Sequence, residues 1–177
     1  MLAEAFGQFW EGSHMTVIDE LVEANRAYAE GFDRGELAIP PARHTAVVTC
    51  MDARLLPSRF LGLEEGDAHV IQNAGGLAKD ALRSLVISQR LLGTNEVVVI
   101  HHTDCGMLTF SNEDIRAKVR ADLDADASAI DFMPFGDLEE SVRDDVAFLR
   151  ESPLIGEDVL VRGFVYDVKT GRIEEVS

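Results

Sequence analysis

Thr45-Ala46-Val47-Val48-Thr49-Cys50-Met51-Asp52-Ala53-Arg54 and Glu96-Val97-Val98-Val99-Ile100-His101-His102-Thr103-Asp104-Cys105 are the two stretches on which the fold turns. Each opens with a short β-branched run bounded by turn residues, the pattern of a buried strand in a parallel sheet. Each closes with side chains that carry chemistry, so both chemical groups are expected at the carboxyl ends of strands. In open α/β sheets ligands bind there, in the crevice where strand order reverses. Between the two stretches, the pattern predicts another strand at 68–72 and a crossover helix at 80–92 that closes at Gly93. Two crossovers then bring the first and third strands side by side. Beyond Cys105 the pattern predicts helices from Ser111 or Asn112 to about Leu123 and over 137–151, then a strand at 158–166. A hairpin-like turn at 167–172 leads to a final edge strand at 173–176. The expected fold class is a single α/β domain with a central, mostly parallel sheet, crossover helices, an antiparallel C-terminal edge strand and an N-terminal helix arm.

The chain has two cysteines, and both lie in these stretches. Cys50, His102 and Cys105 supply two thiolates and one imidazole, a donor set that suits Zn²⁺. Three protein ligands leave one tetrahedral position for water or substrate, which marks a catalytic site rather than a structural one. A disulfide between Cys50 and Cys105 is the competing reading, and the flanking Asp, Arg and His side chains argue against it. Thiols confined to a metal site suit a reducing cytoplasm. Adjacent strand residues face opposite sides, so His101 and His102 cannot both be ligands, and the H-x-x-C spacing picks His102. In extended chain, residues 50, 52 and 54 share a face. Arg54 can then grip the Asp52 carboxylate through its fork of donors and hold it beside the metal as an acceptor. Asn73-Ala74-Gly75-Gly76 follows the second strand. Its glycines let backbone approach the metal pocket, and Ala74 and Gly75 are candidate substrate-binding residues through exposed amides. An ordinary strand-to-helix turn is the plainer reading of the same residues.

C-x-D-x-R followed by H-x-x-C, with Asn73-Ala74-Gly75-Gly76 between them, resembles the β-class carbonic anhydrases, in particular their small prokaryotic branch. The resemblance runs from about Met15 to the C-terminus and is strongest over 45–110. It implies one Zn²⁺ per chain on Cys50, His102 and Cys105, with Asp52 and Arg54 as catalytic residues. The implied reaction is reversible hydration of CO₂ to bicarbonate and a proton by a metal-bound hydroxide. It also implies a homodimer or tetramer in which the N-terminal helix lies across a partner subunit. Some members close the site by letting the aspartate of C-x-D-x-R take the fourth position on zinc. Relatives use the same motifs to hydrolyse carbonyl sulfide or carbon disulfide, which is the alternative function. A non-enzymatic zinc-binding protein is the third reading, though it would normally show a fourth Cys or His. Two departures stand out. No glutamine lies between 33 and 49, where larger members have one that helps hold substrate. Gln72 stands where the family more often has arginine.

A net charge of −16 over 177 residues argues against nucleic acid and anionic membranes as partners and favours solubility, while the resemblance implies a small-molecule substrate. No apolar run is long enough to span a bilayer. Residues 1–14 differ from the rest. Gly12-Ser13-His14-Met15 resembles the scar of a cleavable expression tag, so the zinc domain is expected over 15–177 and His14 is set aside as a ligand. Residues 16–32 form the expected arm helix, with an apolar stripe of Val17, Leu21, Ala24 and Tyr28. His44 is expected at the surface. His69 is expected in a wall or core role, with proton transfer to solvent as the alternative.

Overall fold

The computed structural model describes residues 15–176. The reading of residues 1–14 as a tag remnant lies outside them. The described chain forms two compact units, the first ending at Leu37 and the second beginning at Ala38.

The first unit carries helix α1 (Val17–Glu30). Thr16 caps it in a reciprocal box: Thr16 Oγ1 accepts from the Asp19 amide at 3.2 Å, and the Asp19 carboxylate accepts from the Thr16 amide at 2.8 Å. None of the residues of α1 is buried. Val17, Leu21 and Tyr28 of its apolar stripe are all exposed.

The second unit is one five-stranded sheet with helices. Strands β1 (Thr45–Cys50), β2 (Ala68–Asn73), β3 (Glu96–His102), β4 (Leu160–Tyr166) and β5 (Ile173–Val176) are ordered β2-β1-β3-β4-β5. The first four are mutually parallel, and β5 runs antiparallel to β4. Chain order thus reverses between β1 and β3, and Cys50 and His102 end those two strands. The expected fold class holds in each of these respects. Helices α2 (Pro57–Phe60), α3 (Ala78–Leu92), α4 (Asn112–Leu123) and α5 (Leu138–Glu151) complete the unit. No described helix is long and apolar enough to cross a membrane.

Helices α3 and α5 cover one face of the sheet. Ala46, Val48, Val97, Val99 and Val161 of the strands pack against Ala78, Ala81, Leu85, Val146 and Leu149. Alternation along each strand sends these side chains to one face. Helix α3 starts two residues before the expected Asp80, and its buried face is not the one apolar residues at 82, 85, 86 and 92 would predict. Ala78, Ala81, Leu85, Ser88 and Gln89 are buried, while Leu82 and Val86 are only partly so. Apolar counting missed Ser88 because hydrogen bonds bury it: its hydroxyl meets His69 Nδ1 and Thr94 Oγ1, each at 2.7 Å. His69 therefore props α3 against β2. Its strand register sets it opposite Ala46, at the far end of β2 from Asn73, which pairs with Cys50. That placement accords with the wall role and not with proton transfer at the metal end.

At Gly163 in β4, helix α5 presses directly on the sheet. A Cβ there would collide with Val142 Cγ1 and lie 2.8 Å from Val146 Cγ2. Both neighbours are β-branched residues of α5 with few rotamers to yield. Gly163→Ala is therefore expected to lower unfolding free energy by about 1–3 kcal/mol. Urea denaturation monitored by far-UV circular dichroism checks this, and an unchanged midpoint would contradict it.

Candidate metal centre

Cys50 leaves β1 buried, and its carbonyl accepts a hydrogen bond from Gln72 Nε2 at 3.0 Å. Gln72 thus braces the ligand strand, a role its missing charge did not suggest. The Met51 amide continues the ladder by donating to Asn73 O at 2.9 Å. The chain then turns, and does not stay extended as expected. The Leu55 amide donates to Asp52 O at 2.9 Å, closing the turn. Asp52 Oδ1 accepts from the Arg54 amide and from Arg54 Nε, both at 2.9 Å. Oδ2 accepts from Arg54 Nη2 at 2.8 Å, which completes a two-pronged ion pair. The expected grip is present, built by a turn rather than by strand alternation. Arg54 Nη2 also donates to Asp104 O at 3.1 Å, tying the first stretch to the second. Asp104 reaches that position with a left-handed φ of 61°.

His102 ends β3 fully buried, and its Nδ1 donates to Thr103 O at 2.9 Å. That bond places the ring hydrogen on Nδ1 and leaves a lone pair on Nε2. His102 Nε2 is buried and has no hydrogen-bond partner. Orphaned buried polar atoms are costly, so this nitrogen needs a ligand. Its neighbours supply the reason: one ligand atom each from Cys50, His102 and Cys105 all lie within 4.8 Å of one another. Ligand atoms about 2.0–2.3 Å from a tetrahedral zinc fit inside that span. Both cysteines are free thiols, which disposes of the disulfide reading. The donor set and its geometry fit Zn²⁺.

The three groups are also coupled electrostatically. The Cys50 thiol is lowered from its ordinary value, first by a hydrogen bond from Cys105. Burial opposes the shift, and His102 and the amides of Asp52 and Gly75 assist it. Cys105 is pushed up because its proton is held against the Cys50 sulfur and because it is buried, with the Met107 amide pulling the other way. Burial opposes charge on His102, but the Cys50 sulfur, the Thr103 carbonyl and Asp52 together outweigh it and raise its pKa. Arg54 holds the Asp52 carboxyl well below the usual carboxylate range.

The residues around 45–173 match the family model described as "Carbonic anhydrase". Beta-carbonic anhydrase 1 of Mycobacterium tuberculosis is 46% identical over 166 residues, covering 92% of this chain and 99% of that protein. The chain belongs to the β-carbonic anhydrase family. The crystal structure of carbonic anhydrase from Streptococcus mutans superposes with a TM-score of 0.88 at 49% identity, covering 93% of this chain and all of that one. Carbon disulfide hydrolase of Acidianus sp. is 35% identical over 161 residues, covering 77% of this chain and 79% of that protein. β-Carbonic anhydrases and carbon disulfide hydrolases thus share this chain's scaffold.

Within this β-carbonic anhydrase fold, the structure brings Cys50, Asp52, Arg54, Gly75, His102 and Cys105 together and leaves Ala74 exposed. Cys50, His102 and Cys105 converge, and Asp52 flanks them with Oδ2 3.8 Å from His102 Nε2. Both Asp52 oxygens are engaged by Arg54, so the carboxylate stands outside the three-ligand group. Gly75 is buried at φ 87°, and its amide serves the Cys50 sulfur. Ala74, in contrast, is exposed. Gly76 follows at φ 76°, where a Cβ would lie 2.8 Å from the Cys50 nitrogen. Only glycine lets this turn press on the ligand strand. Leu55, Leu77 and Met107 surround the sulfurs, with Phe60, Phe110, Phe135 and Tyr166 packed against them. His101 turns to the opposite face from His102, as strand alternation requires, and is buried against α5.

Proposed function

We propose that this chain is a zinc enzyme that reversibly hydrates CO₂ to bicarbonate and a proton. The observation that carries this reading is the orphaned Nε2 of buried His102 beside two cysteine sulfurs. Cys50, His102 and Cys105 would hold one Zn²⁺ per chain. Zinc supplies Lewis-acid activation of water there, bringing its pKa from about 15.7 toward neutrality. Asp52 accepts a hydrogen bond from the reacting water and so aims the oxygen lone pairs at the carbon of CO₂. Arg54 keeps that carboxylate ionised and oriented, and Asp104 O anchors Arg54 in turn. The apolar side chains around the sulfurs exclude bulk water and suit a small, uncharged, linear substrate. Arg54 places a guanidinium beside the site on an otherwise acidic chain. Ala74, by its exposed surface, is assigned to the substrate side, and Gly75 stands beside it with its amide toward the Cys50 sulfur. The exposed stripe of α1 supports a homodimer, in which a second copy covers Val17, Leu21 and Tyr28. Free thiols and the acidic composition support a cytoplasmic protein.

Hydrolysis of carbon disulfide or carbonyl sulfide is the second reading, favoured by the Acidianus relative. The ligands serve either substrate equally. Metal analysis with stopped-flow CO₂ hydration, and carbonyl sulfide turnover on the same preparation, separates the readings. Zinc near one per chain with fast CO₂ hydration is the expected result. Faster turnover of carbonyl sulfide than of CO₂ would reverse the ranking, and a reduced protein that takes up no zinc would end both.

A further inference from the structure

We infer that Asp145, on α5, is a positioning residue for the metal triad, acting through His101 on the strand of His102 and the wall beside Cys105, and through Ala78 on the turn beside Cys50. Asp145 Oδ2 accepts from His101 Nε2 at 3.0 Å and from the Ala78 amide at 2.9 Å. These partners lie 44 and 67 residues away in sequence, and Asp145 is itself buried. His101 immediately precedes His102 in β3. Its ring is fully buried, and its Nδ1 meets Ser141 Oγ at 2.8 Å, so both nitrogens are fixed to α5. Ala78 opens α3 directly after the turn that presents the Gly75 amide to the Cys50 sulfur. Asn73 locks that turn by accepting from the Leu77 amide at 2.7 Å and donating to Leu77 O at 2.9 Å.

The third segment is reached through an aromatic contact. Phe135 stacks on His101 with ring centroids 5.4 Å apart and planes 18° apart. The Phe135 amide donates to Met107 O at 3.3 Å, and the Met107 amide serves the Cys105 sulfur. One buried carboxylate therefore sits where the His102 strand, the Gly75 turn and the wall beside Cys105 meet. Partners of this kind orient metal ligands. Without Asp145, His101 Nε2 and the Ala78 amide would be left unpaired in the core.

The inference rests on the zinc reading above, and its test reads metal binding rather than turnover. Zinc affinity is measured by chelator competition on the wild type, Asp145→Ala and Asp145→Asn. Visible spectra of the Co²⁺-loaded proteins and melting temperatures accompany it. Asp145→Ala is expected to bind zinc about tenfold more weakly, with altered cobalt band positions. Asp145→Asn keeps the shape and one acceptor oxygen, and is expected to lose less affinity while still altering the cobalt bands. If the alanine variant does not fold, the asparagine variant decides alone. A folded variant with wild-type zinc affinity and an unchanged cobalt spectrum overturns the inference, even if its melting temperature falls, because that is a purely structural role. Wild-type protein that takes up no zinc overturns the zinc reading as well, so the two failures are distinguishable.

Discussion

Cys105→Ser is expected to strip zinc from the protein and to reduce CO₂ hydration to the rate of buffer alone. A serine hydroxyl stays protonated where a thiolate ionises, and its oxygen is a poor partner for the sulfur-preferring site. The remaining Cys50 and His102 offer two donors, too few for a tight tetrahedral site. Without the metal the reacting water returns to a pKa of about 15.7, so almost no nucleophile exists at neutral pH. The fold should survive the change. The core between α3, α5 and the sheet is built from Ala46, Val48, Leu85, Val99 and Leu149, whereas Cys105 belongs to a separate cluster with Cys50, Leu55, Leu77 and Met107. Metal analysis, stopped-flow hydration and far-UV circular dichroism on one preparation check all three statements. Stoichiometric zinc in the variant, or activity well above buffer, would contradict the ligand assignment.

The second large effect belongs to Asp52→Asn. Asparagine keeps the shape but loses the charge, and its amide nitrogen cannot accept the hydrogen bonds that Arg54 supplies to both oxygens. Loss of one oriented hydrogen-bonding group at a reaction centre costs about 10²–10³ in kcat. That corresponds to about 3–4 kcal/mol of transition-state stabilisation. Zinc content should stay near that of the wild type, because Asp52 stands outside the three-ligand group. The combination of retained metal and lost rate is the signature of a catalytic carboxylate. Lost metal with proportionate loss of rate would point instead to Asp52 as a fourth ligand, and wild-type kcat would remove it from catalysis.

The ligand trio and the sheet were legible because their signals are local. β-Branched runs ending at Cys50 and His102 announce buried strands, and strand alternation alone separates His102 from His101. Contacts between distant segments carried no such signal. Asp145 meets His101 and Ala78 from another helix, and nothing about an aspartate among the acidic residues of α5 distinguishes it. Apolar counting along α3 could not register Ser88, which hydrogen bonding buries. Arg54 was matched to Asp52 correctly, but the path was a turn closed at Leu55 rather than extended chain. The Gly75 amide was expected to face substrate, and its service to Cys50 depends on where the turn lands against β1. Preference between CO₂ and its sulfur analogues depends on pocket shape, which neither motif encodes.

The winding of the sheet has a consequence for biosynthesis. β1 and β3 touch only after β2 and α3 have been laid down between them, so a nascent chain released as far as β2 carries Cys50 but neither His102 nor Cys105. Under the zinc reading, the full donor set exists only once residue 105 has been made, so the ion would close a site whose strands β1, β2 and β3 are all present.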